Sequence, residues 1–541
     1  MISPVNSKRR PPPSAPPRRA SFAARLTASL LSVSLLSVAP PALAQVLPPV
    51  SKAPNLPNLG DTERQELSPI MERKLGEEIM YDIRSNKDYL DDPPITEYLN
   101  NLGDVLVRAH PGARGEANFN YYFFAVRDGQ LNAFALPGGF IAVHSALLLA
   151  AQAESELASV LSHEIGHVAQ RHIARQLGQQ RQDALIPLAA MILAALAARA
   201  GGDVAMGVFA AGQGLAIQRQ LNFGRDAERE ADRVGFQIMG EAGFDTTGMV
   251  AFFQRMQSAG RNYSDNVPAY LLTHPLTSDR IADIQARVRE QPYRQRLDSL
   301  EFYLARSRAR VLQDMSTQGL AEAMQFFQGQ MMQQSRQQLA AGQYGMSYAL
   351  LKKGDTAGAQ TWIEKARATL NKGPAPGTFS AGNAPTAPTM MLYLDLEIKL
   401  AQEDKPDVIA AAVRQAEDGY RKYPASRGIV YQYGEALIAA GRLEDAARFL
   451  RDQVQLYREE PELHDILAKA YAKQGKLALQ HMALAESYVL QGGTMAALDQ
   501  LALARKSPDA TFYDQAQIDA RERDLKARRK EAMGDKYKEG S

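Results

Sequence analysis

Two histidines separated by three residues stand at His163 and His167, and Glu164 follows the first of them directly. Residues four apart lie on one face of an α-helix, so both imidazoles can bind a single metal ion. A glutamate beside the first histidine can accept a proton from water at that metal. The pattern therefore predicts a zinc-dependent hydrolytic site with Glu164 as general base. Because the pattern also arises by chance, the chain must still supply a third ligand.

A later acidic segment offers that ligand. Glu228 and Asp232 are four apart on a predicted helix, and small Ala231 and Gly235 beside them permit close helix packing. Glu228 can bind the metal while Asp232 accepts a hydrogen bond from a ligand histidine. Glu230 falls on a face that is predicted to be solvated. The alternative is that all three acids form an ion-paired helix surface.

His172 is a further histidine close to the motif. It lies five positions after His167, which is a rotation of about 140° on a continuous helix. We therefore expect it to point away from the two motif histidines, as a structural or surface residue. The glycine and third histidine of the extended metzincin pattern are absent at the required spacings.

Composition narrows the class of protein. A chain of 541 residues is too long for one core and predicts two or three domains. A net charge of +2, with the basic residues concentrated at the N-terminus, gives no indication of nucleic-acid binding. The chain has no cysteine, so disulfides and thiolate metal sites are excluded and histidine and carboxylate must hold any zinc.

The N-terminus has the pattern of an export signal. A basic region precedes an apolar run over 26–38, and Ala42-Leu43-Ala44 forms a small-residue cleavage site. We predict a secretory signal peptide over 1–44, followed by a Pro-rich leader over 45–60. The alternative, a membrane anchor, is disfavoured because the apolar run is too short to span a bilayer comfortably.

Residues 61–300 are predicted to form the domain that positions the motif. Helical spacing over 61–107 places Ile70, Leu75, Ile79 and Ile83 on one side. Short strands are predicted at 121–126, 131–136 and 140–143, and a long helix at 154–177 carries the motif. The apolar stretch 185–217 is interpreted as a buried or interfacial helix pair, with a membrane-apposed lid as the alternative.

Residues 301–541 show helical patterns without strand signals. Gly441 and Gly475 occupy equivalent turns and are 34 positions apart, the tetratricopeptide period. An earlier unit around Gly354 has the same form, and a Pro/Gly/Ala-rich insert at 373–389 is predicted to be an exposed loop. We favour an array of tetratricopeptide-like helix pairs over a plain helical bundle.

Taken together, these motifs resemble the gluzincin metallopeptidases of the HtpX, Oma and CAAX-protease superfamily. Within this superfamily, the motifs most resemble the branch of periplasmic β-barrel assembly-enhancing proteases. That likeness lies in residues 132–139, in the ten residues that begin at His163, in Glu230 to Arg233, and in Thr273-His274-Pro275-Leu276. Signal peptide, protease domain and repeat array also occur in this branch in the same order. The insert at 373–389 departs from the pattern and leaves the partner surface open.

The resemblance implies a site and its parts. One Zn²⁺ per chain would be bound by His163, His167 and Glu228, with Glu164 as general base and Asp232 supporting a histidine. An edge strand formed by Asn132, Ala133, Phe134 and Ala135 would pair with the substrate backbone. The alternative is that this segment is only a strand end and a turn. His274 either occupies the fourth zinc position and makes the enzyme latent or is an ordinary turn residue before proline.

We therefore expect an α+β, mainly α chain: a zincin-type metalloprotease domain with a small β-sheet, followed by an all-α repeat array. The expected function is periplasmic zinc metalloendopeptidase activity on misfolded or stalled envelope and outer-membrane proteins. The array would recruit the β-barrel assembly machinery or outer-membrane protein clients, and residues 185–217 would supply any peripheral membrane contact. A chaperone or scaffold with minor proteolysis is the alternative. A hydrolase of a non-peptide bond has no positive sign in the sequence.

Overall fold

The structure, a computed structural model, describes residues 67–178, 224–262, 268–292, 294, 296–332, 335–372 and 389–538. The predicted signal peptide, the Pro-rich leader, the apolar stretch 185–217 and nearly all of the 373–389 insert lie outside these residues. Thr62–Ser541 form one compact unit. None of the described helices combines the length and apolar character needed to cross a membrane.

The first part of this unit combines helices with a small sheet, as predicted. Its elements are α1 (Pro69–Arg84), α2 (Pro93–Ala109), a 3-10 turn (Pro111–Arg114), β1 (Tyr122–Val126), β2 (Ala133–Leu136), β3 (Phe140–His144), α3 (Ser145–Ala150), α4 (Glu154–Ala169), α5 (His172–Gly178), α6 (Arg225–Glu241), α7 (Thr247–Asn262), α8 (Ala269–Thr273) and α9 (Ser278–Glu290).

The three strands form one sheet in the order β1-β3-β2, with β1 parallel and β2 antiparallel to β3. Alternate residues face opposite sides, so Phe124 packs toward α1 while Phe123 joins the larger core of α2 and α4. β2 pairs with β3 alone among the described residues and therefore forms an edge.

The inward side of α1 is made by Ile79 and Ile83, whereas the predicted inward residue Ile70 is 82% exposed.

The motif helix is shorter than predicted. It ends at Ala169, and Arg171 adopts a left-handed conformation with φ 51° before α5 begins at His172. That conformation is unfavourable for a residue with a side chain. An ion pair with Glu72 at 3.2 Å and a hydrogen bond to the carbonyl of Leu67 hold it in place.

The second part is helical throughout the residues described. Its helices are α10 (Leu300–Gln313), α11 (Thr317–Gln330), α12 (Arg336–Lys353), α13 (Thr356–Asn371), α14 (Thr389–Leu400), α15 (Pro406–Lys422), α16 (Arg427–Ala439), α17 (Leu443–Leu456), α18 (Pro461–Lys473), α19 (Leu477–Leu490), α20 (Thr494–Lys506) and α21 (Phe512–Lys538). An α+β, mainly α fold is confirmed.

Consecutive helices of this array pack as pairs with a regular period. α18 begins 34 residues after α16, at 461 against 427, and α19 begins 34 residues after α17, at 477 against 443. Gly441 and Gly475 close the tight turns with φ 71° and 73°, values that glycine adopts without steric cost. This geometry supports the prediction of tetratricopeptide-like helix pairs, which stays a prediction.

A buried arginine joins the two parts. Arg308 of α10 lies 2.7 Å from Asp92, which caps the start of α2, and 2.9 Å from Glu397 of α14. All three side chains are buried or nearly so, and the two carboxylates raise the pKa of Arg308 against the effect of burial. The ion pairs therefore fix the first helices of the array against α2.

Candidate metal centre

The two motif histidines lie one turn apart on the buried helix α4. Their Nε2 atoms are 3.0 Å apart, and neither side chain is more than 1% exposed. Helix α6 approaches this face closely, because Gly166 lies against the backbone of Ala231 and Gly235 against the backbone of Ser162 and His163. A β-carbon at either glycine would stand 2.9 Å from those backbone atoms. Two glycines thus bring the acidic helix to the histidines.

The two acids of α6 reach opposite sides of the same histidine. Glu228 Oε2 is 3.6 Å from His163 Nε2, and Glu228 Oε1 is 3.4 Å from His167 Nε2. Asp232 Oδ1 lies 2.9 Å from His163 Nδ1 and can accept the proton there, which turns Nε2 toward the cluster. Burial favours the neutral form of Glu228, but His274, His163 and His167 lower its pKa well below the usual value.

A third histidine completes the cluster. His274 follows α8, and its Nδ1 lies 3.3 Å from His163 Nε2 and 3.1 Å from Glu228 Oε1. The four groups His163, His167, Glu228 and His274 each offer an atom within 4.8 Å of the others, and all are buried.

The spacing of these atoms suits a tetrahedral metal ion. Ligands at about 2.1 Å from zinc in a tetrahedron are about 3.4 Å apart. Five of the six pairwise separations run from 3.0 Å between the two motif histidines to 3.6 Å between His163 and Glu228, and all six are within 4.8 Å. Three imidazole nitrogens and one carboxylate oxygen are also donors that zinc prefers. The residues present therefore fit a metal, and with His274 included they would fill all four positions.

Glu164 lies beside the cluster without facing into it as a ligand. Its side chain is fully buried, and neither oxygen accepts a hydrogen bond of normal geometry among the described residues. His274 Nε2 is 3.5 Å away. Burial raises the pKa of Glu164, an effect opposed by His274, His163 and the backbone of Ala135. A buried carboxylate with spare lone pairs is suited to accept and return a proton.

The predicted orientation of His172 is wrong. It is 4% exposed, and its Nδ1 lies 2.8 Å from Nδ1 of His167, while its Nε2 lies 3.0 Å from Glu230. The prediction assumed one continuous helix, whereas the left-handed Arg171 turns His172 back toward the motif. His172 is outside the four-residue cluster and supports His167 from behind. Glu230, expected on a solvated face, anchors it and also pairs with Arg175 at 3.0 Å.

Two other buried residues at the site, Arg280 and Tyr270, were not predicted from the sequence. Arg280, at the start of α9, donates to both oxygens of Asp232 at 2.6 and 2.7 Å and to the carbonyl of Pro275 at 2.9 Å. Its Nη1 is also 2.7 Å from Glu228 Oε2. Tyr270 stacks on His274 with ring centroids 4.7 Å apart, and its buried hydroxyl has no hydrogen-bond partner among the described residues. In the sequence, this segment was indicated only by the resemblance of Thr273-His274-Pro275-Leu276 to a known family.

The predicted substrate strand borders the site. Ala133–Leu136 form edge strand β2, and the carbonyl of Asn132 accepts a hydrogen bond from the backbone of His144. Ala135 lies close enough to lower the pKa of Glu164. The backbone N–H of Tyr270 donates to the carbonyl of Leu131 at 3.1 Å, so the segment that carries His274 is attached to the start of this edge.

Comparisons with known proteins agree with this geometry. Residues 96–288 match the model of peptidase family M48. A putative beta-barrel assembly-enhancing protease of Vibrio cholerae is 39% identical over 285 residues, which are 52% of this chain and 56% of that protein. The beta-barrel assembly-enhancing protease of Escherichia coli K12 is 29% identical over 504 residues, 92% of this chain and 95% of that protein.

Another relative is similar over a shorter part of the chain. A mitochondrial metalloendopeptidase of Schizosaccharomyces pombe is 32% identical over 171 residues, 32% of this chain and 48% of that protein. The similarity to the Escherichia coli protease is much longer, and at 92% of this chain it must continue into the helical array. Residues 96–288 are therefore similar to the peptidases of family M48, and the chain resembles beta-barrel assembly-enhancing proteases over almost its full length.

Proposed function

We propose that this chain is a periplasmic zinc metalloendopeptidase that hydrolyses misfolded or stalled outer-membrane proteins. The observation that carries the proposal is the buried cluster of three histidines and Glu228 with the buried carboxylate of Glu164 beside it. A structural zinc site would not need that carboxylate, and burying an ionisable group is costly, so its presence favours a catalytic site.

In this proposal His163, His167 and Glu228 hold the metal. Asp232 fixes the ring of His163. His172, which is held by Glu230, fixes the ring of His167 by accepting a hydrogen bond from the Nδ1–H of His167. When bound, the zinc supplies Lewis acidity toward water and the scissile carbonyl. Glu164 accepts the proton of the attacking water and returns it to the leaving nitrogen.

The substrate is proposed to bind as an extra strand along β2. The free edge of Asn132, Ala133, Phe134 and Ala135 offers backbone donors and acceptors, and such pairing recognises extended backbone with little regard to sequence. A protease for unfolded proteins needs this tolerance. Since Ala135 lies beside Glu164, a peptide that pairs with this strand would lie close to the carboxylate that transfers the proton.

His274 is proposed to keep the enzyme latent. With its Nδ1 directed at the cluster, it fills the position that water must enter. Proteolysis then requires the His274–Pro275 segment to move, and Arg280 and Leu131 are the groups whose hydrogen bonds hold that segment.

The setting is inferred from the export signal and the relatives. A signal peptide over 1–44 would deliver the chain to the periplasm, and the relatives with the longest alignments are named for enhancing β-barrel assembly. We propose that the helical array binds the β-barrel assembly machinery or its outer-membrane protein clients, since arrays of helix pairs present extended binding surfaces.

The array also supports a second candidate, a scaffold or chaperone whose proteolysis is secondary. Glu164→Gln distinguishes the two, because it removes the base while the metal ligands stay in place. In cells that lack the native gene, loss of outer-membrane protein quality control in Glu164→Gln supports the protease. Full complementation supports the scaffold.

The direct test uses purified chain and an unfolded outer-membrane β-barrel protein. Cleavage should require zinc, stop with a chelator and return when zinc is restored. Glu164→Gln should lower the rate by about 10²–10⁴-fold at unchanged zinc content. Glu78→Gln, an exposed glutamate on α1, is the matched control and should retain full activity. Cleavage at the parent rate by Glu164→Gln would exclude the proposed mechanism.

A further inference from the structure

Helix α10 carries three arginines within little more than one turn, and they differ in their partners. Arg308 is 1% exposed and paired with two carboxylates. Arg306 and Arg310 lie one turn apart on another face of the helix, where side chains four positions apart are neighbours. These two arginines lie outside the metal centre.

Neither of these two arginines forms an ion pair with a described residue. Arg306 donates one hydrogen bond, to the carbonyl of Leu149 at 2.9 Å, and its guanidinium lies 5.1 Å from the ring centre of Phe302. Arg310 lies 4.2 Å from the ring centre of Phe326 and has no hydrogen bond within the described part of the chain. The Nε–H group of each is buried and has no acceptor there.

Asp298 is the acid with the greatest effect on Arg306, but it forms no ion pair with that arginine. Asp298 accepts hydrogen bonds from the Tyr303 hydroxyl and from the backbone of Glu154, both at 2.8 Å. Burial lowers the pKa of both arginines, and the charge of Arg310 lowers that of Arg306 further. Two partly buried like charges that form no ion pair within the described part of the chain are unfavourable, so the pair gains by binding an anion.

We propose that Arg306 and Arg310 form a binding site for a phosphate group. Two guanidinium groups carry a charge of +2, which a phosphate monoester with a charge of about −1.5 to −2 neutralises. Their planar forks match the oxygens of phosphate, and among the described residues Leu149 alone accepts a hydrogen bond from either guanidinium. Phe326 beside Arg310 is 44% exposed, so the site also suits a phosphate attached to an apolar body.

The test compares two sources of phosphate on the full chain at constant ionic strength. Calorimetric titration measures binding of inorganic phosphate. Co-flotation measures binding to phosphatidylcholine vesicles with and without phosphatidic acid, whose headgroup is a phosphate monoester. Arg310→Gln is the informative variant, because Arg310 makes no hydrogen bond within the described part of the chain that folding would lose. Arg414→Gln, an exposed arginine of α15, is the control.

The parent should bind at least one of the two probes, and Arg310→Gln should weaken that binding by about tenfold or more while Arg414→Gln does not. Binding of inorganic phosphate alone assigns the site to a soluble phosphate. Binding only to vesicles that contain phosphatidic acid assigns it to a lipid headgroup. The proposal is overturned if the parent binds neither probe, or if Arg310→Gln binds as tightly as Arg414→Gln.

Discussion

Arg280 donates to both carboxylate oxygens of Asp232, at 2.6 and 2.7 Å, in a site where each side chain is at most 3% exposed. The same guanidinium also contacts Glu228 and the carbonyl of Pro275. One side chain thus connects a proposed metal ligand, the carboxylate that orients His163, and the segment that carries His274. We expect Arg280 to position the ligands without touching the reacting atoms.

Arg280→Lys should weaken zinc binding by about 10–100-fold, because an ammonium group cannot reproduce the two parallel hydrogen bonds to Asp232. Competition with a chromogenic chelator measures the affinity, and circular dichroism checks the fold. Arg287→Lys on the same helix is the control, since that arginine is partly exposed and pairs with Asp283. Equal zinc affinities in the two variants would remove Arg280 from the metal site.

His274→Ala should raise basal proteolysis by about tenfold or more if the fourth position is free in fewer than one molecule in ten. Removing the imidazole opens that position to water while three ligands remain. Zinc content must be measured in parallel, because loss of metal would also change the rate. His481→Ala, outside the cluster on α19, should have no effect. An unchanged rate with retained zinc would show that His274 is a turn residue.

Zinc binding should release about one proton at neutral pH. Without metal, burial lowers the pKa of His163, but hydrogen bonds with Asp232 and Glu228 raise it to about 9. His167 and Glu228 already have lowered pKa values and so are in their binding forms. Since a metal binds neutral imidazole, affinity should rise with pH below about 9 and level off above it. Calorimetry in buffers of different ionisation enthalpy counts the protons, and a count of zero would contradict this assignment.

Gly235→Ala should destabilise the fold by about 1–3 kcal/mol and weaken zinc binding as well. The new β-carbon would stand 2.9 Å from backbone atoms of Ser162 and His163, so α6 must shift away from α4 and carry Glu228 with it. Gly329→Ala on α11 meets nothing within 4 Å and should leave both quantities unchanged or stabilise the helix slightly. Thermal unfolding and chelator competition report the two effects separately.

Helix periodicity in the sequence was sufficient to predict the central residues of the site but not the residues that surround them. The i, i+4 spacings of His163 with His167 and of Glu228 with Asp232 follow from helix geometry, and Gly235 indicated that the helices pack closely. Arg280 reaches Asp232 across 48 residues of sequence, through packing that no local pattern encodes. His172 was misplaced because the left-handed Arg171, held by Glu72, interrupts the helix that the periodicity predicted.

The ion pairs of Arg308 determine which fragments of this chain can fold stably. A fragment that ends before α10 would keep Asp92 buried at the start of α2 but lose its cationic partner. Leaving a buried charge unpaired costs about 3–5 kcal/mol, a large part of a domain's stability. The peptidase part and the first array helices should therefore melt in a single calorimetric transition. Proteolytic clipping within α10 would then lower the abundance of the peptidase as well as separating it from the array.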